Sequence, residues 1–173
     1  MGTMNGQVAI ITGGTRGIGR ATAELFAREG ATLAMCARNQ DALNETAREI
    51  TSAHGVKVFG MVADILDSTA MVGFVRQVAE RFGRVDVLVN NAGGSEQRAA
   101  AGSRQQVYAV DPTDGANLPP GRFEEMSDDE FLNAFRQKVL ALAVTMRAVL
   151  PLMKRQKGGF IINVVSKIGR AHV

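Results

Sequence analysis

The first 93 residues alternate regularly between short apolar runs and amphipathic segments, and no other property restricts the fold as strongly. The run QVAIITG at 7–13 is too short for a helix, is rich in β-branched residues and ends in glycine. That combination predicts a strand buried on both faces. Residues 17–30 then show helical spacing, with Ile18, Ala21 and Leu25 at i, i+3 and i+7 and Gly30 closing the segment. TLAMCAR at 32–38 is a second buried run. Residues 40–53 place Leu43, Ala47 and Ile50 on one helical face, with Gly55 just beyond. VKVFGMVA at 56–63 is a third run. Asp67 or Ser68 can cap the helix that follows, which carries Met71, Phe74, Val75, Val78 and Phe82 on one stripe and ends at Gly83. VDVLV at 85–89 is a fourth run. This rhythm predicts βαβ units in an α/β, doubly wound parallel sheet covered on both faces. Such sheets bind ligands at the carboxyl ends of their strands, near the point where strand order reverses.

Residues 94–122 interrupt the pattern with a stretch rich in Gly, Ala, Pro and polar residues, and a segment of this length and composition predicts an irregular insertion. Helical character returns at Ser127, with Glu130 three residues on as a capping box. Phe131, Phe135, Leu142, Met146, Val149 and Met153 follow a helical stripe, and from Val139 to Met153 the segment is apolar nearly all round. This predicts a helix buried on two sides, kinked or ended by Pro151. GFIINVV at 159–165 predicts a fifth strand.

Composition narrows the function classes. The 173 residues are enough for one domain with a sizeable core, and at 46% apolar content they fit a globular chain. The net charge of +3 is dispersed, with no Lys/Arg run longer than two, against the concentrated basic patch a nucleic-acid binder needs. A single cysteine, Cys36, precludes an internal disulfide and fits a reducing compartment. The N-terminal residues lack a signal-peptide pattern, and no apolar run approaches a membrane span. The expectation is a soluble cytoplasmic domain without metal, membrane or nucleic-acid partners.

The chemistry concentrates where the first strand meets the first helix, in Thr12-Gly13-Gly14-Thr15-Arg16-Gly17-Ile18-Gly19. Glycines at 13, 17 and 19 permit a tight turn and close approach of a ligand to the backbone. The helix N-terminus beyond presents N–H groups and a positive dipole end suited to a pyrophosphate. Arg38, at the end of the second run, occupies the position that faces the adenosine ribose in a dinucleotide fold. An acid there would bind a 2′-hydroxyl, whereas arginine favours a 2′-phosphate, and Arg16 can add a second charge. NADP is therefore expected over NAD, with NAD remaining possible.

These residues resemble the short-chain dehydrogenase/reductases, a likeness that covers nearly all of residues 5–166. Thr12–Gly19 is similar to the family's TGxxxGIG turn, Asn90-Asn91-Ala92-Gly93 to its NNAG motif, and Asp64 to the acid that contacts adenine. The resemblance implies a Rossmann fold and hydride transfer between NAD(P)H and a small-molecule carbonyl or alcohol. It implies cofactor contacts from Gly13, Thr15, Arg16, Gly17, Ile18 and Gly19 in the turn. Further contacts are implied from Arg38, Asp64, Ile65, Asn90, Ala92 and Gly93. It also implies homo-oligomers, with the helix near 127–153 at a subunit interface. Of the family's catalytic Asn, Ser, Tyr and Lys, the serine matches Ser166, whose hydroxyl would orient the substrate carbonyl. Lys138 stands where the family has asparagine, and lysine donates hydrogen bonds but cannot accept them. The Tyr-x-x-x-Lys pair is absent. The single tyrosine, Tyr108, precedes the serine and has Pro112 four residues on.

The last six residues, Ile168 to Val173, are what a common short-read sequencing adapter encodes in one frame, ATC GGA AGA GCA CAC GTC. Residues 1–166 are therefore expected to be an incomplete dinucleotide-binding and catalytic domain with its later strands missing. Residues 167–173 are expected to be a non-native tail. A non-catalytic dinucleotide-binding module is the alternative reading.

Overall fold

The computed structural model describes residues 2–92 and 127–165, with only the backbone of Glu130. Five parallel strands form one sheet: β1 (Val8–Thr12), β2 (Thr32–Ala37), β3 (Val58–Val62), β4 (Val87–Asn90) and β5 (Phe160–Asn163), in the order β3-β2-β1-β4-β5. The chain winds outward from β1 in one direction through β2 and β3. It then returns to the other side of β1 for β4 and β5, so strand order reverses between β1 and β4. The doubly wound expectation holds, and strand ends differ from those read in the sequence by at most two residues.

Helix α1 (Gly17–Arg28) and helix α2 (Gln40–His54) cover one face. Helix α3 (Ser68–Phe82) covers the other together with α5 (Ala141–Gln156). Successive strand residues point to opposite faces. Ala9 and Ile11 thus pack with Ala23, Ala27, Leu43 and Ile50, while Val8 and Ile10 pack with Phe74, Val78, Val149 and Met153. The central strand β1 is buried along its whole length, which explains why its sequence does not alternate.

The helix ends follow local chemistry. Asp67 caps α3 by accepting from the N–H groups of Thr69 and Ala70 at 2.9 and 3.0 Å. Asn39 caps α2 by accepting from Ala42 at 2.9 Å. Asp67, rather than Ser68, is the cap. A carboxylate there also meets the positive end of the helix dipole.

Three expectations fail. The buried stripe of α1 is Gly19, Ala23 and Ala27, while Ile18 is 64% and Leu25 45% exposed. Small side chains bring this helix close to the sheet, and the large ones face outward. The helix predicted over 127–153 is α4 (Asp128–Phe135), a π-helical turn (Arg136–Leu140) and α5. Within the single chain one stripe of α5 is buried, namely Ala141, Val144, Thr145, Val149 and Met153, and the other side is where the resemblance implies a subunit contact. Pro151 neither ends nor breaks α5, which runs to Gln156. Proline removes one N–H and crowds the carbonyl four residues back. Here Pro151 and Arg147 both face solvent, where that carbonyl can be hydrated.

At the amino end of the sheet, Gln156 grips Val85, accepting from its N–H at 2.9 Å and donating to its carbonyl at 3.0 Å. Asp86 accepts from Val8 N at 2.8 Å and is held side-on by Nε and Nη2 of Arg84. These contacts order the end of the sheet opposite the glycine turn. No helix among the described residues is long and apolar enough to cross a membrane.

Candidate cofactor site

The glycine turn lies at the carboxyl end of β1, at the reversal of strand order, where a crevice is expected. Gly13 has φ +70°, a left-handed conformation that a side chain would strain, and its N–H donates to the Cys36 carbonyl at 2.8 Å. Gly19 is required for a different reason. A Cβ added to it would strike the Gly13 carbonyl oxygen and the Asn91 side chain. Helix α1 can therefore start against the turn only with glycine there.

The turn is clamped from β4. Thr12 is buried, and its hydroxyl oxygen accepts from both Asn91 N and Ala92 N at 3.0 Å, using its two lone pairs. In return, Asn91 Nδ2 donates to the carbonyls of Thr12 and Gly13 at 3.1 and 3.3 Å. Thr12 and Asn91 lie inside the two motifs read in the sequence but were not assigned as site residues. Their signal was available, because each lies within a motif at a strand end. Their mutual contact spans 79 residues of chain and is visible only in three dimensions.

The N-terminus of α1 begins at Gly17, with φ +55°, and Arg16 in the capping position makes no side-chain capping bond. There is no acidic residue in the first turn. Uncapped N–H groups, the dipole and the absence of negative charge together fit a pyrophosphate. Thr15 is half-buried, and Arg16 and Ile18 are exposed on the same turn. Arg38 follows β2 directly and is exposed beside the same end of the sheet. Asp64 lies two residues beyond the end of β3 instead of ending the strand. Its carboxylate accepts from Leu66 N at 2.9 Å, which shapes the turn, and the adjoining Ile65 packs on the core.

Asn90, expected as a cofactor contact, closes β4. It is buried, and its carboxamide is engaged by protein: Oδ1 accepts from the Thr145 hydroxyl at 2.6 Å and Nδ2 donates to Asn163 at 2.9 Å. Ala92 sits at the turn with its N–H held by Thr12. Lys138 is exposed, in the π-helical turn. Burial pushes the Cys36 thiol up to about 12, so it is a neutral core group beneath the turn. Gly93, the segment 94–122 with Tyr108, the side chain of Glu130, Ser166 and the tail 167–173 lie outside the described residues.

A family model for short chain dehydrogenase matches residues 7–173. The chain belongs to the short-chain dehydrogenase family. The 7alpha-hydroxysteroid dehydrogenase of Clostridium sardiniense is 34% identical over 98% of this chain and 56% of its own length. L-sorbose reductase from Gluconobacter frateurii, solved with NADPH and L-sorbose, superposes with a TM-score of 0.76 at 32% identity, over 94% of this chain and 53% of its own. An NAD+-bound xylitol dehydrogenase superposes with a TM-score of 0.75 at 29% identity, over 95% of this chain and 54% of its own. This short-chain dehydrogenase therefore spans about half the length of the relatives it matches. Those relatives are dehydrogenases and a reductase, which gives the non-catalytic alternative no support.

Proposed function

We propose that this chain is the cofactor-binding part of an NADP(H)-preferring oxidoreductase acting on a small-molecule carbonyl or alcohol. The observation that carries the reading is the α1 N-terminus, uncapped and free of acidic residues, which follows a glycine turn that Thr12 and Asn91 clamp to β4. Its N–H groups hold the pyrophosphate. Arg38 pairs with the 2′-phosphate, aided by Arg16. Asp64 and Ile65 border the adenine, while Ala92 and Gly93 border the path toward the nicotinamide. Bound NADPH supplies the hydride. The Ser166 hydroxyl orients the substrate oxygen, and Lys138, at the position where the family carries asparagine, donates toward the proton path.

Similar structures hold either NADPH or NAD+, so the preference rests on Arg38. Titrating the chain with NADPH and with NADH, followed by nicotinamide fluorescence, tests it. Arg38→Asp is expected to reverse the preference, weakening NADPH by at least about tenfold, the loss expected for one charge-assisted pair turned to repulsion. Equal affinity ratios in the two forms would remove the assignment.

A further inference from the structure

The end of β4 is tied to helix α5 by a polar contact that the proposed chemistry does not use. Thr145, on α5, is only 1% exposed, and Asn90 only 3%. The Thr145 hydroxyl has one proton. Its distance to Asn90 Oδ1 is 2.6 Å, against 2.9 Å to the Leu142 carbonyl and 3.3 Å to the Ala141 carbonyl. Asn90 passes the link across the sheet. Its Nδ2 donates to Asn163, its register partner on β5, and its carbonyl accepts from Val164 N at 2.9 Å. The next two residues, Asn91 and Ala92, are those whose N–H groups Thr12 holds. One buried side chain therefore lies where three things meet: the helix that follows the π-helical turn, the β4 end that clamps the glycine turn, and the strand leading toward Ser166.

We infer that Thr145 is a positioning residue: through Asn90 it sets the end of β4 against the glycine turn, and so sets dinucleotide affinity. The part about affinity rests on the proposed function. The part about position does not. An apolar side chain of the same shape leaves a buried carboxamide oxygen without its donor, and the end of β4 must move or admit water to satisfy it. Ordinary packing of α5 does not depend on the hydroxyl, because Val144, Val149 and Met153 supply it.

The test uses the 173-residue chain with Thr145→Val, Thr145→Ser and, as a cavity control in the same helix, Val149→Ala. Thr145→Ala is the second hydroxyl-free variant should valine prevent folding. Amide hydrogen exchange and NADPH affinity are both read. Loss of the hydroxyl is expected to speed exchange at Asn91, Ala92 and Val164 by about tenfold relative to β1 and β2 amides, and to raise the NADPH dissociation constant by about tenfold. Thr145→Ser is expected to restore both to within about twofold. Val149→Ala is expected to lower the melting temperature without the local signature. Uniform exchange across the sheet in the hydroxyl-free variants, or the same local pattern in Val149→Ala, overturns the inference. Wild-type chain that binds no dinucleotide refutes the proposed function, while the exchange pattern still decides the role of Thr145.

Discussion

A single methyl group at Gly19 would separate the first helix from its turn. The added Cβ meets backbone, the Gly13 carbonyl oxygen, and the clamping Asn91 side chain, so a rotamer change alone cannot relieve the clash. Gly19→Ala gains helix propensity worth about 1 kcal/mol. Overpacking of this kind costs about 1–3 kcal/mol, so the net effect on stability is expected to be small or unfavourable. The effect on affinity is expected to be larger, because the displaced turn is the part that carries the ligand. Dinucleotide titration and thermal melting on the same samples check this, and unaltered affinity would show that the turn tolerates displacement. The motif TGGTRGIG was legible from spacing alone, and Gly13 and Gly19 prove to need glycine for two different reasons, conformation and contact. Thr12 and Asn91 were not assigned, because their role is a contact between motifs.

At the scale of elements, α1 and α2 are joined by a charged seam. Arg20 donates to Glu24 at 2.6 and 2.9 Å, to Glu49 at 2.9 Å and to Thr46 at 3.1 Å, and His54 Nε2 lies 2.8 Å from Glu24. Burial at the seam raises the Glu24 carboxyl, but the hydrogen bonds from His54 and Arg20 and their charges outweigh it and leave the group below its ordinary value of 4.5. A depressed carboxyl stabilises the fold fully above the unfolded-state value. That contribution disappears as pH falls through the lower folded value. The chain is therefore expected to lose stability below about pH 4.5, and Glu24→Gln is expected to flatten part of that loss while lowering stability near neutrality. Melting temperatures from about pH 6 to about pH 3 check it, and parallel curves for the two forms would remove the seam as a cause. The face of α1 was misread because helical spacing fits two stripes. The choice of Gly19, Ala23 and Ala27 comes from the close approach to the sheet.

Across the whole molecule, apolar surface collects at β5 and the α4 end of the chain. Phe160 is 71% and Ile162 45% exposed on β5, a strand paired only with β4 among the described residues, and Phe131, Leu132 and Phe135 are about half exposed. An open apolar strand edge is a template for pairing, and covering one large side chain is worth roughly 1.5–3 kcal/mol. The isolated chain is expected to self-associate, and Phe160→Lys with Ile162→Lys to reduce it, as read by size-exclusion chromatography with light scattering. A monodisperse wild-type monomer would contradict this. The 173 residues also hold no Tyr-x-x-x-Lys pair, and general acid–base catalysis typically supplies about 10²–10⁴-fold. The chain alone is therefore expected to bind NADPH yet reduce no carbonyl above the level of Ser166→Ala, and turnover above that control would refute it.

The sequence by itself determined the strand and helix alternation, the parallel doubly wound sheet and the glycine turn, because these depend on periodicity and on residues adjacent in the chain. Asp67 and Gly55 were legible as helix ends for the same reason. Tertiary structure alone decided which stripe of α1 is buried, that α5 continues through Pro151, and that Asn90 is a buried hub facing Thr145 and Asn163. The buried stripe and the hub depend on what lies across a gap from residues distant in sequence, and the passage through Pro151 on which side of α5 meets solvent; local spacing carries no information about either.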